Sequence, residues 1–231
     1  MPEFRSENKF ICSQGQMEIL KARLSPVLHP DEHQNGACYR IRSLYFDDES
    51  DSAFYDNDAG NDHRRKFRLR VYDRLDDGVR LEIKHKARGG TKKDSCSMPK
   101  ELCEAVLRGE PIDWDAGYPP ALTELFREMR LGALRPRIIV EYERSAYVCA
   151  AGNVRITFDR NIAYSLNTEA FLNEPLPLTP VLPKGVHLLE VKCDELIPDY
   201  IIQLLETGEL ARTTFSKYYL ACLAQKGEYI W

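Results

Sequence analysis

Apolar residues fall at every second position in several short stretches of this chain. Arg64–Asp73 reads RRKFRLRVYD, and Val79–Lys86 reads VRLEIKHK. Phe67, Leu69 and Val71 alternate with Lys66, Arg68 and Arg70; Val79, Leu81 and Ile83 alternate with Arg80, Glu82 and Lys84. A period of two predicts half-buried strands. Asp77-Gly78 between the two stretches predicts a hairpin turn. The same alternation predicts strands at Phe4–Cys12, Cys38–Asp47, Arg137–Ala150, Asn153–Asp159 and Val186–Cys193, with Ala151-Gly152-Asn153 turning a second hairpin.

Helical spacing takes over between these strands. Met17, Leu20 and Leu24 share one face of a helix predicted over Gln14–Leu24 and stopped by Ser25-Pro26. Further helices are expected at Pro99–Arg108, ended by Gly109, and at Pro119–Arg130, Pro198–Thr207 and Phe215–Ala224. A short helical turn is expected at Asp51–Tyr55. Gly89-Gly90 with Lys92-Lys93 reads as a flexible connection, because no GxxxxGK[ST] phosphate loop is present. Strands joined by short turns with helices between them predict an α+β fold with antiparallel pairing. At 231 residues, a single domain over 1–231 is expected.

The polar rows of these strands raise the functional question. A charged strand face is ordinarily solvated. Solvated faces mix signs, however, and here Arg and Lys dominate adjacent strands, where like charges opposite one another repel. Between Arg64 and Lys93 stand twelve Lys and Arg against four Asp and Glu, a local balance of +8. The rest of the chain must then carry −12, because its net charge is −4. A basic segment in an acidic chain points to a focused anion site, not to general nucleic-acid binding. The planar fork of Arg suits phosphate oxygens. A carboxylate such as Glu190 or Glu7 could hold a divalent metal that bridges phosphates.

The seven cysteines are scattered and never spaced as CxxC, which predicts reduced thiols in a cytoplasmic protein. No apolar run approaches the roughly 20 residues needed to span a bilayer, so no membrane insertion is expected. MPEFRSENKF has no apolar segment of a secretion signal. His29 and His33 have i, i+4 spacing, but Pro30 and the HPDEHQNG composition read as a loop and not as a zinc helix. Tyr39, Tyr45, Phe46 and Tyr72 could stack bases, but read more simply as core or pocket wall. Trp114 and Trp231 read as packing residues.

In order along the chain stand R-S-E-N-K at Arg5–Lys9, S-L-Y-F-D at Ser43–Asp47, K-F-R-L-R at Lys66–Arg70 and E-I-K at Glu82–Lys84. Y-E-R at Tyr142–Arg144, R-I-T-F-D at Arg155–Asp159, L-E-V-K at Leu189–Lys192 and F-S-K-Y at Phe215–Tyr218 follow. This series resembles the VTC domain, the polyphosphate polymerase domain of the triphosphate tunnel metalloenzyme (CYTH-like) superfamily, over nearly the whole chain. The resemblance implies an antiparallel β-barrel tunnel of about eight strands with a basic lumen, decorated by helices.

It further implies binding of ATP and inorganic polyphosphate with Mn²⁺ or Mg²⁺, and transfer of the γ-phosphate to phosphate or a growing polyphosphate chain. Lys9, Arg68, Arg70, Lys84, Arg144, Arg155 and Lys217 match catalytic phosphate ligands. Lys66, Lys86 and Lys192 are further candidates for substrate binding. Glu190 matches the metal-binding glutamate, and Glu7 is a second candidate. Thr214 stands where the family has another lysine, and Arg212 is a nearby cation that could take its place. Hydrolytic relatives begin with ExExK, whereas Arg5 occupies the first carboxylate position here, which favours the polymerase branch. The alternatives are a hydrolase of tripolyphosphate or nucleoside triphosphates on the same scaffold, and a non-catalytic polyphosphate-binding module.

Overall fold

The computed structural model describes residues 6–32, 34, 36–61, 64–73, 78–87, 90–113, 115–194, 196–208, 210–214 and 216–228, without the side chains of residues 87 and 91. The expectations placed on Arg5, His33, Asp77, Gly89, Trp114, Phe215 and Trp231 lie outside the described residues.

The chain runs β1 (Ser6–Ser13), α1 (Gln14–Leu24), β2 (His29–Pro30), β3 (Tyr39–Asp47), α2 (Ser52–Asp58), β4 (Arg64–Tyr72), β5 (Val79–Ala87) and β6 (Gly90–Met98). It continues with α3 (Lys100–Leu107), α4 (Pro120–Leu131), β7 (Arg135–Cys149), β8 (Val154–Ser165), β9 (Thr179–Pro180) and β10 (Val186–Cys193). It closes with α5 (Asp199–Leu205), β11 (Ala211–Thr213) and α6 (Lys217–Gln225). The fold is α+β, as the alternation predicts. The strand order is β11-β1-β10-β8-β7-β3-β4-β5-β6, with β2 on β7 and β9 on β8. Among the described residues this path has two ends and does not close, so the expected closed barrel is found as an open order of strands.

Two compact units make up the chain, the first from Met1–Arg40, Tyr142–Ile162 and Pro180–Ser216, the second from Ile41–Glu141, Ala163–Thr179 and Lys217–Trp231. In the first unit, Ser13 caps α1: its hydroxyl accepts from the Gln16 N–H at 3.2 Å, while the Gln16 side chain accepts from the Ser13 N–H at 2.9 Å. Met17, Leu20 and Leu24 are fully buried against Cys12, Ile156, Phe158, Leu189 and Val191. Each such side chain contributes about 2 kcal/mol. β1, β10 and β8 pair antiparallel, and their alternation puts these apolar residues on one face.

In the second unit, β4 pairs with β5 from Arg64 opposite Lys86 to Arg70 opposite Arg80, the hairpin that the sequence predicts. Leu69, Leu81 and Ile83 are fully buried and pack with Cys103 and Val106 of α3 and with Leu122 and Leu125 of α4.

The flexible connection expected at Gly90–Lys93 is corrected here: these residues open β6, which pairs with β5 along its whole length. Only Cys96 and Met98 of β6 carry apolar signal, so side-chain pattern hid a strand that the backbone ladder with β5 supports. His29 lies in β2, opposite Val148.

Candidate functional site

Each unit turns a polar row away from its apolar face. In the second unit, pairing sets Tyr45 opposite Arg68, Ser43 opposite Arg70, Arg68 opposite Glu82, and Lys66 opposite Lys84. β6 adds Lys93 opposite Lys84 and Ser95 opposite Glu82. Ser43, Tyr45, Arg70, Glu82 and Lys217 are all buried. The ordinary expectation of a solvated face therefore fails for the centre of this row.

The hydrogen bonds are specific. Arg68 Nε donates to Glu82 Oε2 at 2.7 Å, and Arg68 Nη1 to the Tyr45 hydroxyl at 3.3 Å. Arg70 Nη1 lies 3.4 Å from Glu82 Oε2, and its Nε donates to Ser43 Oγ at 3.2 Å. Lys93 Nζ donates to Glu82 Oε1 at 3.0 Å. Lys66 Nζ donates to Asn57 Oδ1 at 2.8 Å and lies 5.6 Å from the centre of the Tyr218 ring. That ring packs 5.3 Å from Tyr45, and its hydroxyl donates to buried Asp47. Asp47 also accepts backbone N–H bonds from Asp48, Ala53 and Phe54, which ties β3 to the start of α2.

Two shifts report the local potential. Burial pushes the Tyr45 phenol up, yet Arg68, Arg70 and Lys217 outweigh it, and the phenol is held below its ordinary value. Burial also pushes Glu82 up, but Arg68, Arg70 and Lys93 pull it well below the carboxylate range. Arg68, Arg70 and Lys93 thus stand around Glu82, Arg68, Arg70 and Lys217 stand beside Tyr45, and Lys66 and Lys84 continue the row, so that among the described residues cations outnumber its carboxylates, Glu82 and Asp47. Lys86 continues the row of β5, opposite Arg64.

In the first unit the row is balanced. Lys9 stands opposite Glu190 and Glu7 opposite Lys192, while on β8 Thr157 faces Glu190 and Arg155 faces Lys192. Lys9 Nζ lies 2.9 Å from Glu7 Oε1, and Lys192 Nζ 2.7 Å from Glu190 Oε1. Arg144 grips Asp159 with two bonds of 2.6 and 2.8 Å. Burial alone would lower the Arg144 pKa, but Asp159, Tyr142 and Glu190 raise it well above its usual value. Arg155 Nη2 lies 2.9 Å from Asp31 Oδ2 and donates to the Tyr39 hydroxyl at 3.2 Å.

Arg155 Nε and Thr157 Oγ1 are buried with no hydrogen-bond partner in the protein. Unsatisfied buried polar atoms are rare and ask for a water, ion or ligand. Among the described residues, no group of three His, Cys, Asp or Glu is placed to hold a metal. Glu190 and Glu7 each meet a lysine, and an ion such as Mg²⁺ or Mn²⁺ beside them would need further ligands from phosphate oxygens and water. They do not fit a metal caged by protein alone.

Arg212 does not take the place of the missing lysine. It pairs opposite Phe10, on the other side of β11 from the charged row, and donates to Asn8 Oδ1 at 2.7 Å. Thr213, opposite Lys9, is the β11 residue that joins the row. The alternation of VRLEIKHK already puts Glu82 on the row of Arg80 and Lys84, but its three cationic partners become visible only with the strand register. Asp159 and Asp31 likewise meet Arg144 and Arg155 only through the tertiary structure, and the composition around Lys93 predicts a loop where a strand forms.

This chain belongs to the VTC domain family, whose profile matches residues 4–225. Its fold is shared with several solved proteins. A solved protein from Hippeastrum, described as an adenylyl cyclase with a dominant triphosphatase activity, aligns with a TM-score of 0.59 at 14% identity, covering 97% of this chain and 98% of its own. A Vibrio parahaemolyticus protein described as an adenylate cyclase aligns at 0.53 and 10% identity, over 95% and 98% of the two chains. A Bacillus halodurans protein of the same description aligns at 0.51 and 12%, over 88% and 87%. At these identities the likeness establishes the fold. No curated protein matches this chain.

Proposed function

We propose that this protein is a metal-dependent phosphotransferase of the polyphosphate polymerase type, passing the γ-phosphate of ATP to phosphate or a polyphosphate chain. The observation that carries this reading is the cationic surplus of the second unit, where buried Arg70 and Lys217, half-buried Arg68 and exposed Lys93 crowd one carboxylate and one phenol. Several cations of fixed geometry suit the three equatorial oxygens of a transferring phosphoryl group, and positioning with charge neutralisation is most of what that chemistry needs.

In this reading Lys66, Arg68, Arg70, Lys84, Lys86 and Lys217 bind phosphate oxygens. Lys9, Arg144, Arg155 and Lys192 are the phosphate-binding candidates of the first unit. Glu190, with Glu7, holds Mn²⁺ or Mg²⁺. Glu190 and Glu7 would hold such an ion beside the phosphates, where it would supply positive charge against the charge that develops in transfer. Thr157 Oγ1 and Arg155 Nε are buried donors that phosphate oxygens would satisfy. No covalent phospho-enzyme is involved, and ADP leaves. All seven cysteines are unbonded, in keeping with work in a reducing cytoplasm. No described helix is long and apolar enough to cross a membrane.

Hydrolysis of tripolyphosphate or of a nucleoside triphosphate is the second reading. It is favoured by the triphosphatase description of the Hippeastrum structure. The same cations would serve, with water as nucleophile. Incubation with ATP and Mn²⁺, read as polymer on a gel and as free phosphate, separates the two. Long polymer that disappears in Glu190→Ala and in Arg70→Ala supports polymerisation. Free phosphate without polymer replaces it with hydrolysis. Neither product, with tripolyphosphate still bound, leaves a binding module.

A further inference from the structure

Glu82 occupies the middle of β5, with β4 on one side and β6 on the other, opposite Arg68 and Ser95. Along its own row it is flanked by Arg80 and Lys84. Around it cation faces cation: Lys66 is opposite Lys84, Arg70 opposite Arg80, and Lys84 opposite Lys93. Such pairs repel, and a sheet tolerates them only with compensation.

Glu82 supplies that compensation from a position only 3% exposed. Oε2 takes Arg68 and faces Arg70, and Oε1 takes Lys93. One carboxylate therefore ties together cationic heads from both strands that flank its own. Arg68 has its remaining direction on the Tyr45 hydroxyl, and Arg70 has Nε on Ser43. Long cationic side chains ordinarily lose rotamer freedom when they grip an anion. These have lost it beforehand. Both carboxylate oxygens are committed to cations, which leaves Glu82 poorly placed to ligate a metal.

We propose that Glu82 is a positioning residue of the phosphate site: its carboxylate fixes Arg68, Arg70 and Lys93 where they meet the transferring phosphoryl group, and it ligates neither metal nor phosphate. This rests on the phosphotransfer reading above. Two opposite effects follow from removing the charge while keeping the shape, as in Glu82→Gln. The local potential becomes more positive, so an anion binds more tightly. The cations are no longer held, so transfer slows.

The test compares wild type, Glu82→Gln, Glu82→Asp and Tyr45→Phe. Titration calorimetry with tripolyphosphate is expected to show Glu82→Gln binding about threefold or more tightly than wild type. Turnover at saturating ATP and Mn²⁺ is expected to fall about tenfold or more, with partial rescue in Glu82→Asp and an unchanged Mn²⁺ requirement. Tyrosine absorbance, titrated without substrate, provides a readout independent of activity. The Tyr45 step, identified by its loss in Tyr45→Phe, should move to lower pH in Glu82→Gln, because Arg68, Arg70 and Lys217 then face the phenol with less compensation.

Affinity and turnover falling together with an unmoved Tyr45 step would make Glu82 merely structural and overturn the proposal. A Mn²⁺ requirement raised about tenfold would make it a metal ligand and overturn it equally. If wild type neither binds tripolyphosphate nor turns over ATP, the phosphotransfer reading fails. The proposal, which puts these cations at the transferring phosphoryl group, falls with it, and a Tyr45 step that still moves in Glu82→Gln then shows only that Glu82 anchors Arg68 and Arg70.

Discussion

Asp159 and Arg144 illustrate what a single residue decides. Asp159 is completely buried and receives two hydrogen bonds from Arg144. In the motif R-I-T-F-D the resemblance points to Arg155 and assigns no role to Asp159. Breaking one side of a buried ion pair strands the other charge, at a cost of about 3–5 kcal/mol. Asp159→Asn should therefore lower unfolding stability by about 3 kcal/mol, seen as a shift of the urea midpoint at constant slope. An unshifted midpoint would mean that Arg144 finds another partner. Arg144 was legible as a cation of the row. That it comes with a dedicated carboxylate was not, because a pair fifteen residues apart in sequence meets only across the β7–β8 hairpin.

At the scale of the element, the β7–β8 hairpin depends on one glycine. Ala151-Gly152-Asn153 was readable as a turn from its composition alone. Gly152 has φ +71°, in the left-handed region, and a Cβ there would lie 2.3 Å from the Leu196 carbonyl oxygen. Backbone strain and a clash with fixed backbone thus act together. Gly152→Ala is expected to destabilise by about 2–3 kcal/mol, measured by thermal or urea unfolding. The element that escaped prediction, β6, teaches the converse. Gly90 and the Lys92-Lys93 pair carry loop signals, but hydrogen bonding to β5 is indifferent to side chains, so a polar segment becomes a strand and delivers Lys93 to Glu82.

For the whole molecule, buried acids set the pH range of stability. Burial pushes the Cys12 and Cys222 thiols up to about 11 and the Cys103 thiol up to about 12. An unfolded thiol titrates near pH 8.5, so above that value the unfolded chain binds fewer protons than the folded one. Stability is then complete below about pH 8.5 and falls as pH rises towards the folded values. A loss of about 2–4 kcal/mol is expected between pH 8 and pH 10, followed by chemical unfolding at each pH, and it should be smaller in Cys103→Ala. Glu82 acts at the other end. Its lowered pKa contributes stability that is present above the unfolded carboxylate value, near pH 4.3, and is lost as the solution becomes more acidic.

Local information in the sequence determined most of the strands and helices, though not β6, because period-two alternation, an N-cap serine and turn glycines act through neighbouring residues. It also determined which cations share a row, since side chains alternate strictly along a strand. Register and burial were decided only by the tertiary structure. Whether Arg70 is solvated or buried, which carboxylate holds it, and that the second unit keeps a cationic surplus while the first is balanced depend on pairing between distant segments. Electrostatic energy falls with distance and rises with burial, and neither quantity is written along the chain. RRKFRLRVYD announces a row of charges; the fold buries Arg70 and gives it and Arg68 Glu82 as a counter-ion.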